Sequence, residues 1–454
     1  MRGRAKSLGV GRLLPGLTVL ALVAFVGPSA AQELGSAPCG STEGIEAGPR
    51  LSEWIRARQA KCQKIEPYKS TFLERQILAF EKAERRSIAE VNLFGFYPRV
   101  QTIDHRSQWA GGLRFWRPDL GHSRVDLSGN AFVSHQGFRY YEVQAGVIPH
   151  RGQAFPLFAS KMDDVFELAN VRRDADQGLM LYGSFTHRYS PKYDFFGVGP
   201  DSSLADQSDF LQRDTLYEGV AGYRVLPRLT LATRMGHYCV TIGRGKDDTL
   251  PDVEDTFGPA GLPGFLARPR DYLRSGASAI WDSRDRRENP HGGAVLAIEW
   301  QRYDERGGGG SRFDRYAADA RAYVSLGHPQ RVLALRAYLS EDRPGPPGSR
   351  VPFYLLRYLG GSHSLRSIAN QRYRGEKVAL LQAEYRWEAS PAIELSLFLD
   401  SGAVAATRED ELGALMTDGG FGIRLKTHEA LLLRCDLAWG DEGFKLLFRF
   451  SPAF

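Results

Sequence analysis

The amino-acid sequence predicts an all-β fold, a 16-stranded antiparallel transmembrane β-barrel preceded by a short N-terminal helical segment. Three observations predict it: an export signal, a succession of segments alternating apolar and polar residues with period two, and an alternation of long with short connections between them. The mean hydropathy of −0.34 and the lack of an apolar run of eighteen residues past the amino terminus exclude a bundle of membrane-spanning helices. A barrel is not excluded, because its strands turn one face to lipid and the other to the lumen and so average to a soluble-looking hydropathy.

Residues 1–31 read as a signal peptide. Arg2, Arg4, Lys6 and Arg12 precede the apolar stretch Leu13 to Val26, and the small residues Ser29, Ala30 and Ala31 supply a cleavage site. A single membrane anchor is disfavoured by the shortness of that stretch. Residues 32–105 form a periplasmic leader, rich in Gly, Ser, Pro and charge up to about residue 65. From Ser70, a helix-capping residue, Leu73, Ile77 and Phe80 recur at helical spacing and Glu81 stands four before Arg85, which predicts an amphipathic helix over 71–86. Cys39 and Cys62 sit alone in this exported segment; a disulfide between them and two free thiols are both open readings.

The barrel is expected over 106–454. Its strands are expected at 107–117, 122–134, 136–149, 153–168, 178–190, 212–226, 228–241, 271–284, 293–304, 312–327, 331–341, 376–389, 393–405, 416–427, 430–440 and 443–454. The alternation is plainest where Phe444, Leu446, Phe448 and Phe450 interleave with Lys445, Leu447 and Arg449, and where Ile393, Leu395, Leu397 and Leu399 oppose Glu394, Ser396 and Asp400. A soluble sandwich would bury such charges at high cost, whereas a wet lumen accommodates them. The long connections 191–211, 242–270 and 342–375 all follow odd-numbered strands, as external loops do, while the connections after even-numbered strands are short.

Three stretches resemble the signature regions of the bacterial surface antigen superfamily, the BamA/TamA-like barrels. They are Ile280-Trp281-Asp282-Ser283-Arg284-Asp285 with Asn289-Pro290-His291-Gly292-Gly293; Leu359-Gly360-Gly361-Ser362-His363-Ser364-Leu365-Arg366 with Arg374-Gly375-Glu376; and Phe398-Leu399-Asp400-Ser401-Gly402 with Gly419-Gly420-Phe421-Gly422. Phe195-Phe196-Gly197-Val198-Gly199 is a weaker match. The resemblance implies an outer-membrane protein whose sixth external loop folds back into the lumen, and it implies that Arg366 pairs there with the inner-wall Asp400. It marks Gly360, Gly361, Leu365, Gly375, Phe398, Gly402, Asp282, Arg284 and Asp285 as motif residues. Ser367-Ile368 departs from the glycine and aromatic usual in the family, so the loop tip is expected to seat differently. Segment 32–65 shows no alternating strand, which favours a POTRA-less relative.

No catalytic residue, cofactor or metal is expected. There is no H-x-x-x-H, H-E-x-x-H or C-x-x-C spacing and no G-x-S-x-G elbow. The acidic run Asp247, Asp248, Asp252, Glu254 and Asp255 reads as a solvated loop ahead of a calcium site. The net charge of +6 is spread singly along strands, which argues against nucleic acid. Cys435 shares the lipid-facing parity of Leu433 and Leu437. Glu384, Arg386, Arg424, Arg434 and Asp436 point inward and read as a solvated lumen network. The expected partners are outer-membrane lipid, unfolded polypeptide, and the barrel-assembly machinery during biogenesis. The resemblance implies outer-membrane protein assembly or translocation; the alternative is a passive surface antigen or pore without insertion activity.

Overall fold

The structure, a computed structural model, describes residues 94–449 together with Phe72 and Arg75, apart from 119, 123, 149–157, 161–177, 264–268, 287–288, 308–310, 346–348 and 427–430. The expected signal peptide, Cys39 and Cys62, and all but two positions of the helix expected over 71–86 lie outside the described residues.

Nineteen strands are described: β1 (Phe96–Thr102), β2 (Ala110–Arg117), β3 (Asp126–Ser134), β4 (Arg139–Val147), β5 (Phe158–Ser160), β6 (Leu179–Phe195), β7 (Ser208–Leu226), β8 (Leu229–Arg244), β9 (Arg270–Asp282) and β10 (Gly293–Arg306) come first. They are followed by β11 (Arg312–Ser325), β12 (Arg331–Pro344), β13 (Arg357–Leu359), β14 (Tyr373–Gly375), β15 (Lys377–Ser390), β16 (Ile393–Ala405), β17 (Met416–Lys426), β18 (Leu431–Gly440) and β19 (Gly443–Arg449). A helix, α1 (Val253–Gly261), lies between β8 and β9 with Asp252 as its N-cap.

Sixteen of these strands pair antiparallel in chain order from β1 to β19, with β4 joined directly to β6 and β12 directly to β15. Of the strand expected over 153–168 only Phe158–Ser160 lies among the described residues, where it runs parallel to β1. The sixteenth strand is instead β1, ten residues upstream of the expected boundary at 106. Its Pro98 argues against a strand in the sequence, since proline in a strand suits only an edge, a first position or a bulge.

Alternation sorts the side chains into two faces. One face exposes Leu381, Trp387, Leu397, Leu399, Phe421, Ile423, Trp439, Phe444, Leu446 and Phe448, while the other buries Gln382, Glu384, Arg386, Glu394, Asp400, Arg424, Arg434 and Asp436. Such an inverted pattern, oily outside and charged within, is what strands between lipid and an enclosed polar interior require. Cys435 lies opposite the exposed Ile423 and Phe448.

The long connections 245–269 and 345–376 leave the sheet at the same end as 196–207, and the 345–376 loop turns back over the buried face. Its Val351, Phe353, Tyr354 and Leu356 join Phe195, Phe210, Tyr272, Tyr303 and Phe313 in one cluster. Deeper in, Leu359, Leu365 and Ile368 meet Tyr338, Val378, Leu380, Val404 and Met416. Each large apolar side chain taken out of water contributes about 1.5–3 kcal/mol, which opposes the entropy of ordering a loop of this length.

Candidate functional site

The loop's second half is a small hairpin. Strands β13 and β14 pair Arg357 with Gly375, Tyr358 with Arg374 and Leu359 with Tyr373, and they enclose a tight turn begun by Gly360 and Gly361. Both glycines have positive φ, +111° and +100°, and a Cβ at Gly360 would come within 2.0 Å of the Ala369 carbonyl. No other residue fits there.

Inward-facing side chains of the sheet grip the turn's backbone. The Ser362 carbonyl accepts from Arg434 Nη2 at 2.9 Å, His363 from Arg336 Nη1 at 3.2 Å and Ser364 from Gln382 Nε2 at 2.9 Å. Arg366 follows and is wholly buried. Its Nη2 donates to Glu384 Oε2 at 2.9 Å and its Nη1 to Asp436 Oδ2 at 3.4 Å, while its Nε lies 3.0 Å from Asp400 Oδ2. The Nε contact is an ion pair without hydrogen-bond alignment, since both atoms lack a hydrogen-bond partner. The guanidinium also sits 3.7 Å from the centroid of the Phe398 ring.

These contacts give the three spaced residues of the Phe398-Leu399-Asp400-Ser401-Gly402 stretch separate physical tasks. Phe398 stacks on Arg366, Asp400 pairs with it, and Gly402 leaves room for the loop: a Cβ there would meet Leu359 Cδ1 at 2.6 Å. Leu365 and Gly375 lie in the same neighbourhood, Gly375 pressed so close to Ala405 that a Cβ would stand 2.2 Å from its carbonyl oxygen.

The interior charges differ from the solvated network expected of them. Arg386 Nε donates to Glu384 at 2.7 Å, Arg424 bonds Glu384 and Glu394, and Arg434 Nε lies 3.0 Å from Asp436. All are buried beneath the loop. With Arg366 they set four arginines against the four carboxylates Glu384, Glu394, Asp400 and Asp436. A buried charge without a partner is costly, and each of these four carboxylates has an arginine partner. Asp418, paired across the strands with Asp400, is a fifth carboxylate, and its Oδ2 accepts from the backbone N and the hydroxyl of Ser367 at 2.8 and 3.1 Å.

Ser367 is therefore a ligand of the wall. It is not among the described residues with positive φ, so its side chain imposes no left-handed strain. Ile368 takes the place of an aromatic and is buried in the deeper cluster. The sequence reading missed the loop's attachment to the last hairpin: Glu442 accepts from Arg372 Nε at 2.7 Å and from the Ala369 N–H at 2.8 Å, and Lys445 Nζ donates to the Ile368 carbonyl at 3.0 Å. Arg372 also donates to the Ser202 hydroxyl at 2.7 Å, and the Arg374 carbonyl accepts from the Gly199 N–H at 2.7 Å. The Phe195 to Ser202 stretch thereby joins the same site.

Asp282, Arg284 and Asp285 lie at the opposite end, in the β9–β10 turn. Arg284 folds onto Asp282, with 3.0 and 3.1 Å bonds, and Asp285 Oδ1 accepts from the His291 and Gly292 N–H groups. Asn289 and His291 carry the turn to Glu388 and Glu394 on β15 and β16. In the 245–269 connection, Asp247 bonds Arg106 and Thr249, Asp252 caps α1 and Asp255 bonds Arg244.

At the loop end of the sheet, His105 in the β1–β2 connection lies between Asp104 and Asp194, 2.6 Å from the latter. Burial opposes its charge, but the two carboxylates outweigh burial and raise its pKa to about 9.

Comparison with known proteins places this geometry. Residues 266–451 match the Omp85 superfamily domain; no curated protein matches the sequence. Among solved structures, BamA from Haemophilus ducreyi lacking POTRA domains 1–3 is similar over 86% of this chain and 80% of its own, with a TM-score of 0.53 and 11% identity. CdiB from Acinetobacter baumannii (75% of this chain, 55% of its own, TM-score 0.44, 12% identity) and CdiB from Escherichia coli (78%, 61%, 0.45, 10%) are more distant. This chain spans less than two thirds of either CdiB. The sixteen-strand order, the folded-back loop and the domain match agree: residues 266–451 carry an Omp85 superfamily domain, and the fold is similar to that of BamA.

Proposed function

We propose that this protein assembles or translocates other polypeptides at the outer membrane, with β1 and β19 closing the sixteen-stranded sheet into a barrel and unfolded polypeptide as its substrate. The observation that carries the reading is the seat of the 345–376 loop: Arg366 reaches carboxylates on β15, β16 and β18, and Glu442 and Lys445 tie the same loop to the final hairpin. A loop fastened to both the inner wall and the last hairpin couples the interior to the strand that would close the barrel. A passive conduit has no use for such a plug. The motif residues, by this reading, seat the loop and carry out no chemistry.

The test is reconstitution into liposomes, with folding of a client barrel protein and ionic conductance measured on the same preparation. Faster client folding than in empty liposomes, without a steady open conductance, supports the proposal. A persistent open pore with no effect on client folding would identify a passive barrel.

A further inference from the structure

On the outward face of β8 and β9, three side chains of metal-ligating type converge that no part of the loop site uses. Cys239 pairs across the sheet with Asp271, and His237 stands two residues before Cys239 on the same face. Cys239 Sγ lies 3.4 Å from His237 Nδ1, and His237 Nε2 lies 3.8 Å from Asp271 Oδ1. One donor atom from each of the three falls within 4.8 Å of the others. A tetrahedral zinc ion with bonds of about 2.0–2.3 Å holds its donors roughly 3.3–3.8 Å apart. Through the single nitrogen His237 Nε2 the separations are 4.0 Å to Cys239 Sγ and 3.8 Å to Asp271 Oδ1, so small side-chain rotations bring the three donors to a coordination shell, and a thiol, an imidazole and a carboxylate are the donor types zinc takes.

The cluster is open to solvent and stands at a definite level. His237 and Asp271 side chains are about half exposed. Along β8 the outward apolar residues Leu231 and Met235 end just before His237. In the row of Cys239 stand Thr215 and His187, and in the next row toward the loops stand the exposed Arg213 and its neighbour Tyr189. Charged residues on an outward face mark the level where the apolar belt gives way to the polar interface. A cation arriving from water reaches the three donors without crossing hydrocarbon.

We propose that His237, Cys239 and Asp271 form a three-ligand site for a thiophilic divalent cation of the zinc type, with water completing the shell. Coordination takes Cys239 as the thiolate, its proton passing to solvent, while imidazole and carboxylate bind in the forms they hold at neutral pH. Because the ligands come from two neighbouring strands, the ion staples β8 to β9 beneath the 245–269 connection that carries α1.

The test uses the folded full-length protein in detergent with Zn²⁺, and with Co²⁺ as a spectroscopic probe. One ion per chain is expected, with a thiolate-to-cobalt charge-transfer band that disappears in Cys239→Ala and is retained in a variant keeping Cys239 as its only cysteine. Asp271→Asn, which preserves shape, weakens Zn²⁺ binding several-fold. All three positions face outward, so heat-modifiable migration on gels verifies that each variant is folded. Absence of the band in wild type, or its survival in folded Cys239→Ala, would overturn the site and leave only an exposed His237–Asp271 ion pair.

Discussion

Arg366 Nη2 donates to Glu384 Oε2 at 2.9 Å with neither side chain exposed to water, and the same guanidinium serves Asp400 and Asp436. Removing it leaves three buried carboxylates short of a cation. Arg366→Ala is expected to cost about 3–5 kcal/mol of barrel stability. Asp400→Ala costs less, because Arg366 retains two acceptors and Gln382 loses only one. The double variant stays close to Arg366→Ala alone, since the two changes share one network. Denaturant midpoints of the four proteins measure the cycle, and additive losses would show that the residues act independently.

Ser367 holds Asp418 through both its backbone N–H and its hydroxyl. Ser367→Ala removes one hydrogen bond to a buried carboxylate and is expected to destabilise by roughly 1.5–3 kcal/mol. Ser367→Gly loses the same bond and gains nothing from glycine's freedom, since φ here is not positive. Urea titration checks both; a glycine variant as stable as wild type would contradict the assignment.

Gly402 leaves space that Leu359 occupies. Gly402→Val crowds the Leu359 methyl carbon, which lies 2.6 Å from where a Cβ would be, and overpacking of this kind costs about 1–3 kcal/mol. The strain is relieved by expelling the loop, so protease should cleave within 345–376 faster than in wild type while the strands stay resistant. Unchanged cleavage would mean that the loop is not seated against β16.

His105 gives the loop end of the sheet a pH dependence. Its pKa is raised from 6.5 to about 9, so the folded state holds the proton more tightly than the unfolded chain does. The stabilisation is fully present below pH 6.5 and is lost as pH rises through about 9. His105→Gln is expected to flatten stability across this window, measured by thermal unfolding at stepped pH. A slope unchanged in the variant would assign it elsewhere.

Much of this was legible in the sequence because period two is an unambiguous signal where charges interrupt apolar residues, as in Ile393 to Asp400. The apolar content of Phe353 to Ile368 likewise indicated a loop that water would not hold. The first strand was not legible, because Pro98 in so short a segment argues against a strand. Nor could alternation show that Glu384, Arg386, Arg424 and Arg434 are buried. Parity places a side chain on the inner face, but whether water reaches it depends on what the loop covers. Glu442 and Lys445 passed as ordinary residues of a tight hairpin, their role fixed by residues some seventy positions earlier. The His237, Cys239 and Asp271 cluster escaped for a similar reason, since strand register and not sequence spacing brings Asp271 to Cys239.

Whether the loop seated by Arg366 serves polypeptide assembly is measured by the rate at which a client barrel protein folds into liposomes carrying wild type or Arg366→Ala, both verified as folded by heat-modifiable migration. Wild type is expected to accelerate client folding, and Arg366→Ala to fall toward the rate of empty liposomes. Equal rates for wild type and empty liposomes, or full activity in Arg366→Ala, would contradict it.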